Sequence, residues 1–356
     1  MKRVMFTGYA PVHFVCFKPL FDALTQDPDV EMVVSGGLRS TGADGVRSHD
    51  TAALYSPFNL PPRAVIDVAD LGDVDVDILF CANTKPIKPR SYSMSVEMFH
   101  GLSFRNRAVR TEQDLYDRYF VLGPYQERRL LQRDVLHLGD TRGVRVGFPK
   151  TDQLLDGTLD RQATLAELGL TGERPIVLYA PTGARQNSLE TFGEELIKSM
   201  AGSGEYDFIV KPHDHPKASI NWVERLAPLE NEHLRVLRAA DAMPALHACD
   251  LLISDASSIA NEYLLLDRPL VYLDVPELLA AAANEDDRLD LDTWGRKGGV
   301  VAGDVHSAQQ AIAAGLSDPQ AQSDIRRAIA ADLFYNPGRA TGVALQWLRD
   351  EVRLTA

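Results

Sequence analysis

The sequence predicts an α/β protein of two domains, each a parallel sheet covered by helices. Three observations lead there. The chain has 356 residues, more than one ordinary core accommodates and enough for two domains of common size. Short apolar runs alternate with helical stretches, the pattern of parallel strands joined by crossover helices. The alternation breaks once, at the turn-rich Gly147-Phe-Pro-Lys-Thr-Asp152, and then begins again.

In the first half, residues 4–6, 30–34, 78–81, 95–99 and 119–122 read as strands. Residues 14–24 carry Phe17, Leu20, Phe21 and Leu24 at helical spacing, and residues 112–116 and 125–131 read as further helices. After the break, residues 161–168 form a short helix. A second strand set follows at 176–179, 208–210, 234–236, 251–253, 270–273 and 300–301. The end is helical at 307–316, 320–332 and 341–353, with the turn Tyr335-Asn-Pro-Gly338 between the last two. The expected organisation is an N-terminal domain over 1–160, a C-terminal domain over 161–335, and a last helix over 336–356. A cleft between two such domains is the simplest place for a ligand, since parallel sheets bind at the carboxyl ends of their strands.

Composition excludes several classes. A net charge of −13 argues against a nucleic-acid surface and against broad attachment to anionic lipid. The best candidate for a local basic patch is Lys85-Pro-Ile-Lys-Pro-Arg90 together with Arg105, Arg107 and Arg110. No apolar run reaches the roughly 18 residues of a membrane span, and the chain opens directly on a strand pattern, so a cytoplasmic protein with at most peripheral contact at the inner face of the membrane is expected. The three cysteines, Cys16, Cys81 and Cys249, sit in apolar settings without metal-like spacing and read as buried free thiols.

The stretch Asp250-Leu-Leu-Ile-Ser-Asp-Ala-Ser-Ser258 followed by residues 259–266 carries the most chemistry. It reads as strand, polar turn and helix, which places Ser257 and Ser258 at a helix N-terminus. Unpaired N–H groups and the positive helix end suit a phosphate there. Glu262 lies about one turn further on, where a carboxylate can reach ribose hydroxyls. Asp255 lies in the same turn and counts among the donor-binding candidates. Leu178-Tyr-Ala-Pro-Thr-Gly-Ala-Arg185 ends a strand in a small-residue turn, with Thr182 and Arg185 as phosphate contacts; a plain connecting loop fits equally. Val210-Lys-Pro-His-Asp-His-Pro216 leaves another strand with Lys211, His213 and His215. His-x-His is a metal pair only with further ligands, and none is evident, so a phosphate-facing role for Lys211 and His213 fits better. In the first half, His100 follows a strand and precedes Gly101. Imidazole there suits a general base for a hydroxyl, while a hydrogen-bonded structural histidine fits the same pattern. His13, after Gly8-Tyr-Ala-Pro, is placed with Gly101 and Arg105 on the acceptor side. Neither a dinucleotide fingerprint nor a Walker loop is present.

Taken in order, these pieces resemble the CDP-glycerol glycerophosphotransferase family, which includes the teichoic acid glycerol- and ribitol-phosphate polymerases. The landmarks are His100-Gly101, Gly147 to Asp152, Leu178-Tyr-Ala-Pro-Thr182, Val210-Lys-Pro-His213, Asp250 to Ser258, Leu264-Leu-Leu-Asp-Arg-Pro269 and Tyr335-Asn-Pro-Gly338, spread over roughly residues 95–340. Ala256, Glu262 and Leu102-Ser-Phe-Arg105 differ from the usual family pattern. The resemblance implies a GT-B-like fold: two Rossmann-like domains whose parallel sheets face a central cleft, with a C-terminal helix crossing back. It implies a CDP-activated polyol phosphate donor, a hydroxyl on a glycan, lipid-linked or polymer acceptor, release of CMP, and no metal or other cofactor. By position, His100 is then the base, His213 stabilises the displaced phosphate, and Ser257 and Ser258 hold the pyrophosphate.

Two other classes share these features. A GT-B glycosyltransferase or UDP-sugar epimerase has the same strand–turn–helix with a ribose-binding glutamate, and donor identity separates it. A non-catalytic nucleotide-binding subunit would bind without turnover. The oligomeric state is not legible in the sequence.

Overall fold

The computed structural model describes residues 1–41, 47–82, 86–102, 116–213, 220–283 and 290–352. The chain divides into two compact units. One comprises Met1–His100, Ala108–Asp152 and Leu333–Ala356; the other comprises Gly101–Arg107 and Gln153–Asp332.

The first unit contains β1 (Lys2–Gly8), β2 (Val30–Gly36), β3 (Leu38–Thr41), β4 (Arg47–Asp50), β5 (Asp75–Cys81), β6 (Ser91–Glu97), β7 (Arg118–Phe120) and β8 (Gly143–Val144). Six of them form one sheet in the order β2-β1-β5-β6-β7-β8, parallel throughout, while β3 and β4 make a separate antiparallel hairpin. The buried runs of β1 and β5 are apolar except for Thr7, as strands covered on both faces tend to be. Phe6 of β1 stacks on Phe80 of β5 at 4.8 Å and meets Phe17 of the helix Pro11–Thr25 at 5.0 Å. These rings are the centre of the first core.

The second unit contains β9 (Ile176–Tyr179), β10 (Asp207–Val210), β11 (Leu234–Val236), β12 (Leu251–Ser254), β13 (Leu270–Leu273) and β14 (Val300–Ala302). They form one parallel sheet in the order β11-β10-β9-β12-β13-β14. In chain order this is the doubly wound Rossmann arrangement. Its direction reverses between β9 and β12, and that of the first sheet between β1 and β5. Ligands of such sheets sit at those switch points, beyond the carboxyl ends of the strands.

Every strand expected from the apolar runs is present. The strand expected over 95–99 runs instead over Ser91–Glu97, because Phe99 has a φ of 58°, outside any strand conformation. The hairpin β3–β4 was not anticipated, since its residues are mostly polar and carry no apolar alternation. The helix expected to run to residue 266 is α-helical over Ile259–Tyr263 and tightens to a 3-10 turn over Leu264–Leu266. The expected helix at 112–116 falls almost wholly outside the described residues, as do Lys85, Arg105, Arg107, Arg110 and His215. All three cysteines are buried and free. Among the described residues no helix is long and apolar enough to cross a membrane.

Two sequence landmarks meet in the first unit. Asp152 accepts from the N–H groups of Ala340 and Thr341 at 2.9 and 2.7 Å, capping the helix Ala340–Val352. Asn336, with a φ of 46°, donates from its side chain to the Arg145 and Val146 carbonyls at 2.8 and 3.1 Å. The turn at 147–152 and the turn at 335–338 are thus one seam that holds the last helix. Asp152→Ala is expected to lower stability by about 2 kcal/mol, read as a shift in denaturation midpoint with unchanged slope.

Candidate active site

In the first unit the candidates gather beyond β1, β5 and β6. His100 follows β6 through Phe99, whose left-handed backbone turns the chain out of the sheet. Such strain in a buried phenylalanine persists only where the surroundings hold it, and it fixes the direction in which the next residue leaves. The Nδ1–H of His100 donates to the carbonyl of Ala82, the residue after β5. A carbonyl only accepts, so the proton of the neutral ring sits on Nδ1 and the Nε2 lone pair is open. The protein packed behind the ring lowers the His100 pKa from its ordinary value, Lys150 adds to this, and the Ala82 bond opposes it. The residue itself keeps an exposed side. Near neutrality His100 is therefore an uncharged imidazole with a free basic nitrogen.

His13 stands beside it, ring centroids 4.8 Å apart. It is buried, and its Nδ1 accepts from the Tyr9 N–H at 3.2 Å. Burial holds its pKa well below the usual histidine value, with His100 and Arg39 acting in the same direction. Thr7 and Cys81, at the ends of β1 and β5, close the floor with a contact of 3.1 Å.

In the second unit the switch point is organised by Asp255, which is 0% exposed. Its Oδ1 accepts from the N–H groups of Thr182 at 2.8 Å and Ala256 at 2.6 Å. Its Oδ2 accepts from the Ser188 N–H at 3.1 Å and the Ser188 hydroxyl at 2.8 Å. Burial raises the Asp255 pKa, and the bonds from Ser188, Thr182 and Ala256 oppose the rise. The sequence places this carboxylate among the donor contacts. The structure commits both oxygens to the protein, so Asp255 ties the loops after β9 and β12 together. Tyr179 extends the network by donating to Ser188 Oγ at 2.6 Å. Gly193, in the π-helical turn Leu189–Gly193, makes that possible: a Cβ there would lie 2.2 Å from the Tyr179 hydroxyl. Asn187 and Ser188 were absent from the sequence reading; their signal was the polar pair that opens the following helix.

Ser257 and Ser258 lie half-buried at the start of the helix Ile259–Tyr263, as the local pattern predicts. Gly101 approaches Ser258 so closely that a Cβ would sit 3.2 Å from its hydroxyl, and its φ of 148° also favours glycine. Asn261 fixes the neighbouring backbone by donating to the Leu102 carbonyl at 2.6 Å. Glu262 is buried on the same helix. Lys211, 8% exposed, directly follows β10 and donates to the Pro212 carbonyl at 3.1 Å, and His213 beyond it is exposed. Thr182 is buried through its backbone bond to Asp255, while Arg185 is exposed on the same loop. The sheet order puts the loops after β10, β9 and β12 side by side. The landmark at 264–269 is scaffold. Asp267 pairs with the buried Arg326 at 2.9 Å, and Arg268 donates to the His247 and Cys249 carbonyls, each at 2.6 Å. Among the described residues no three His, Cys, Asp or Glu side chains converge as metal ligands.

Comparison with known proteins adds four findings. The family model described as CDP-glycerol:poly(glycerophosphate) glycerophosphotransferase matches residues 83–335. A teichoic acid glycerol-phosphate primase of Bacillus spizizenii is 34% identical over 137 residues, which is 38% of this chain and 34% of the relative. The aligned region thus spans about a third of that curated relative's length. A variant of the wall teichoic acid polymerase TagF has a similar fold, with a TM-score of 0.69 at 13% identity over 99% of this chain and 89% of the other. The UDP-GlcNAc 2-epimerase of Neisseria meningitidis, solved with UDP-GlcNAc, has a TM-score of 0.58 at 13% identity over 98% and 99% of the two chains. These likenesses place the fold in the two-domain, GT-B-like α/β class.

Proposed function

Because the chain belongs to the CDP-glycerol:poly(glycerophosphate) glycerophosphotransferase family, we propose that it moves a polyol phosphate, such as glycerol phosphate, from a CDP-activated donor to a hydroxyl of a cell-surface glycan or polymer precursor. The observation that carries the reading is His100, held by the Ala82 carbonyl in the tautomer that leaves Nε2 open and uncharged near neutrality. In this mechanism Nε2 takes the proton of the acceptor hydroxyl as its oxygen attacks the phosphorus bearing the polyol. The new P–O bond forms as the bond to the bridging oxygen breaks, and that oxygen departs with CMP. Ser257, Ser258 and the N–H groups behind them hold the pyrophosphate, with Thr182, Lys211, Arg185 and His213 offsetting the charge that gathers on the leaving phosphate. Glu262 meets the ribose. Asp255 acts by positioning the loops. The chemistry is orientation and electrostatic stabilisation, with no covalent intermediate and no metal. The three buried free thiols support a reducing compartment, and in this reading the reaction lies on the cytoplasmic side.

Calorimetric titration with CDP, CMP, UDP and GDP, with and without EDTA, tests the donor. Preferred CDP binding that is indifferent to EDTA is expected. Preferred UDP binding would move the protein to the nucleotide-sugar enzymes. Ser258→Ala is expected to weaken CDP binding roughly tenfold, the scale of one charge-assisted hydrogen bond. Unchanged affinity would remove the serine from the phosphate site.

A further inference from the structure

The landmark Gly147-Phe-Pro-Lys-Thr-Asp152 places a buried cation, Lys150, at the end of the sheet that carries His100. Gly147 turns the chain at a φ of 95°. Phe148 is buried, and its carbonyl accepts from the N–H and the hydroxyl of Thr151 at 2.9 and 2.8 Å. Asp152 caps the last helix. These bonds fix the backbone on either side of Lys150. Its side chain is 7% exposed and folds back so that Nζ lies 5.7 Å from the centre of the Phe148 ring. A cation over an aromatic face is held in direction as well as in place.

The sheet order decides what that cation faces. The six strands of the first sheet are parallel, so the segments after β1, β6 and β8 leave from the same edge. His13, His100 and Lys150 follow those three strands, and the charge of Lys150 is felt at His100. Other titratable groups stand around the base. Burial keeps His13 uncharged near neutrality, and the charge of Arg39 reaches it. Burial pushes the Cys81 thiol up to about 12. Glu97, at the end of β6, acts on Cys81 and Tyr116. An ammonium beside a base resists the imidazolium that forms when the base takes a proton. The same ammonium turns favourable once negative charge gathers next to it, and away from water that attraction is strong. In the proposed transfer such charge lies on the non-bridging oxygens of the phosphorus that the acceptor oxygen attacks.

We propose that Lys150 is a catalytic residue of the transfer, its ammonium meeting the non-bridging oxygens of the polyol-bearing phosphate. The bond from the acceptor oxygen to phosphorus forms, the bond to the bridging oxygen breaks, and the acceptor proton goes to His100 Nε2. Lys150 keeps its protons throughout and offsets the phosphate charge beside the new imidazolium. The inference rests on the proposed CDP-activated donor and on His100 as the base.

The test compares the full chain with Lys150→Met and Lys150→Arg, with Lys150→Gln as a second neutral variant and the denaturation midpoint as the check on folding. Methionine keeps an unbranched stem over Phe148. Calorimetry with CDP and with CMP separates the two phosphates, since CMP lacks the one that is transferred. Lys150→Met is expected to weaken CDP about tenfold and leave CMP unchanged, and to slow CMP release from CDP-glycerol with a poly(glycerol phosphate) acceptor about a hundredfold. Lys150→Arg is expected to recover much of both. Imidazole ¹⁵N spectroscopy of the unliganded proteins, with His100→Gln assigning the signal, should find the His100 pKa higher in Lys150→Met than in wild type. Equal loss of CDP and CMP, unchanged turnover, or an unchanged His100 pKa would overturn the assignment of Lys150 alone. A wild-type chain that binds neither nucleotide would overturn the donor reading and this inference together.

Discussion

His100→Ala is expected to lower turnover about a thousandfold while leaving CDP affinity unchanged. The asymmetry follows from the chemistry assigned to each unit. The serines and the loops tied by Asp255 belong to the second unit, and the base belongs to the first. Removing the base abolishes deprotonation of the acceptor and touches no donor contact. The pH profile gives an independent reading. The pKa of His100 is lowered from the ordinary histidine value, so kcat/KM should rise with pH along a limb centred below that value and level off by neutrality. In His100→Ala the limb should vanish along with the rate. Wild-type turnover in the variant, or a limb that persists unchanged in its residual activity, would assign the base elsewhere.

Asp255→Ala is expected to destabilise the second unit by about 3 kcal/mol, the scale of a buried carboxylate lost from its donors. The substitution would strand the N–H groups of Thr182 and Ser188 in the interior and leave the Ser188 hydroxyl without its acceptor. Asp255→Asn keeps the volume and one acceptor oxygen, so a smaller loss is expected. Denaturant unfolding of the full chain measures both. Because the carboxylate acts by holding loops, CDP affinity should fall in step with the local order of residues 180–188, seen as faster amide exchange there. A variant with normal stability and selectively lost CDP binding would show that Asp255 meets the donor directly.

Much of the second unit was legible in the sequence. Its strands are short, mostly apolar and bounded by polar turns, and the serine pair follows one of them closely, so local periodicity sufficed. The first unit was less open. β3 and β4 are polar and pair across a turn, so nothing in their composition announces a strand. The backbone partners of Asp255 were not legible, because a carboxylate beside two serines looks the same in sequence whether it faces a ligand or a backbone 73 residues away.

The sequence by itself determined the α/β class, the two sets of strands and helices, and the order of the motifs that resemble the family. These rest on periods of two and 3.6 residues and on adjacent residue types, which the chain expresses locally. Only the tertiary structure decided which polar groups meet. It set His13 against His100, fixed the tautomer of His100 on Ala82, turned Asp255 into a strut, and placed Asp152, 188 residues away in sequence, at the start of the last helix. Such pairings depend on strand order and on burial. A buried polar group takes whichever partner the packing brings within reach, and no local pattern encodes that choice.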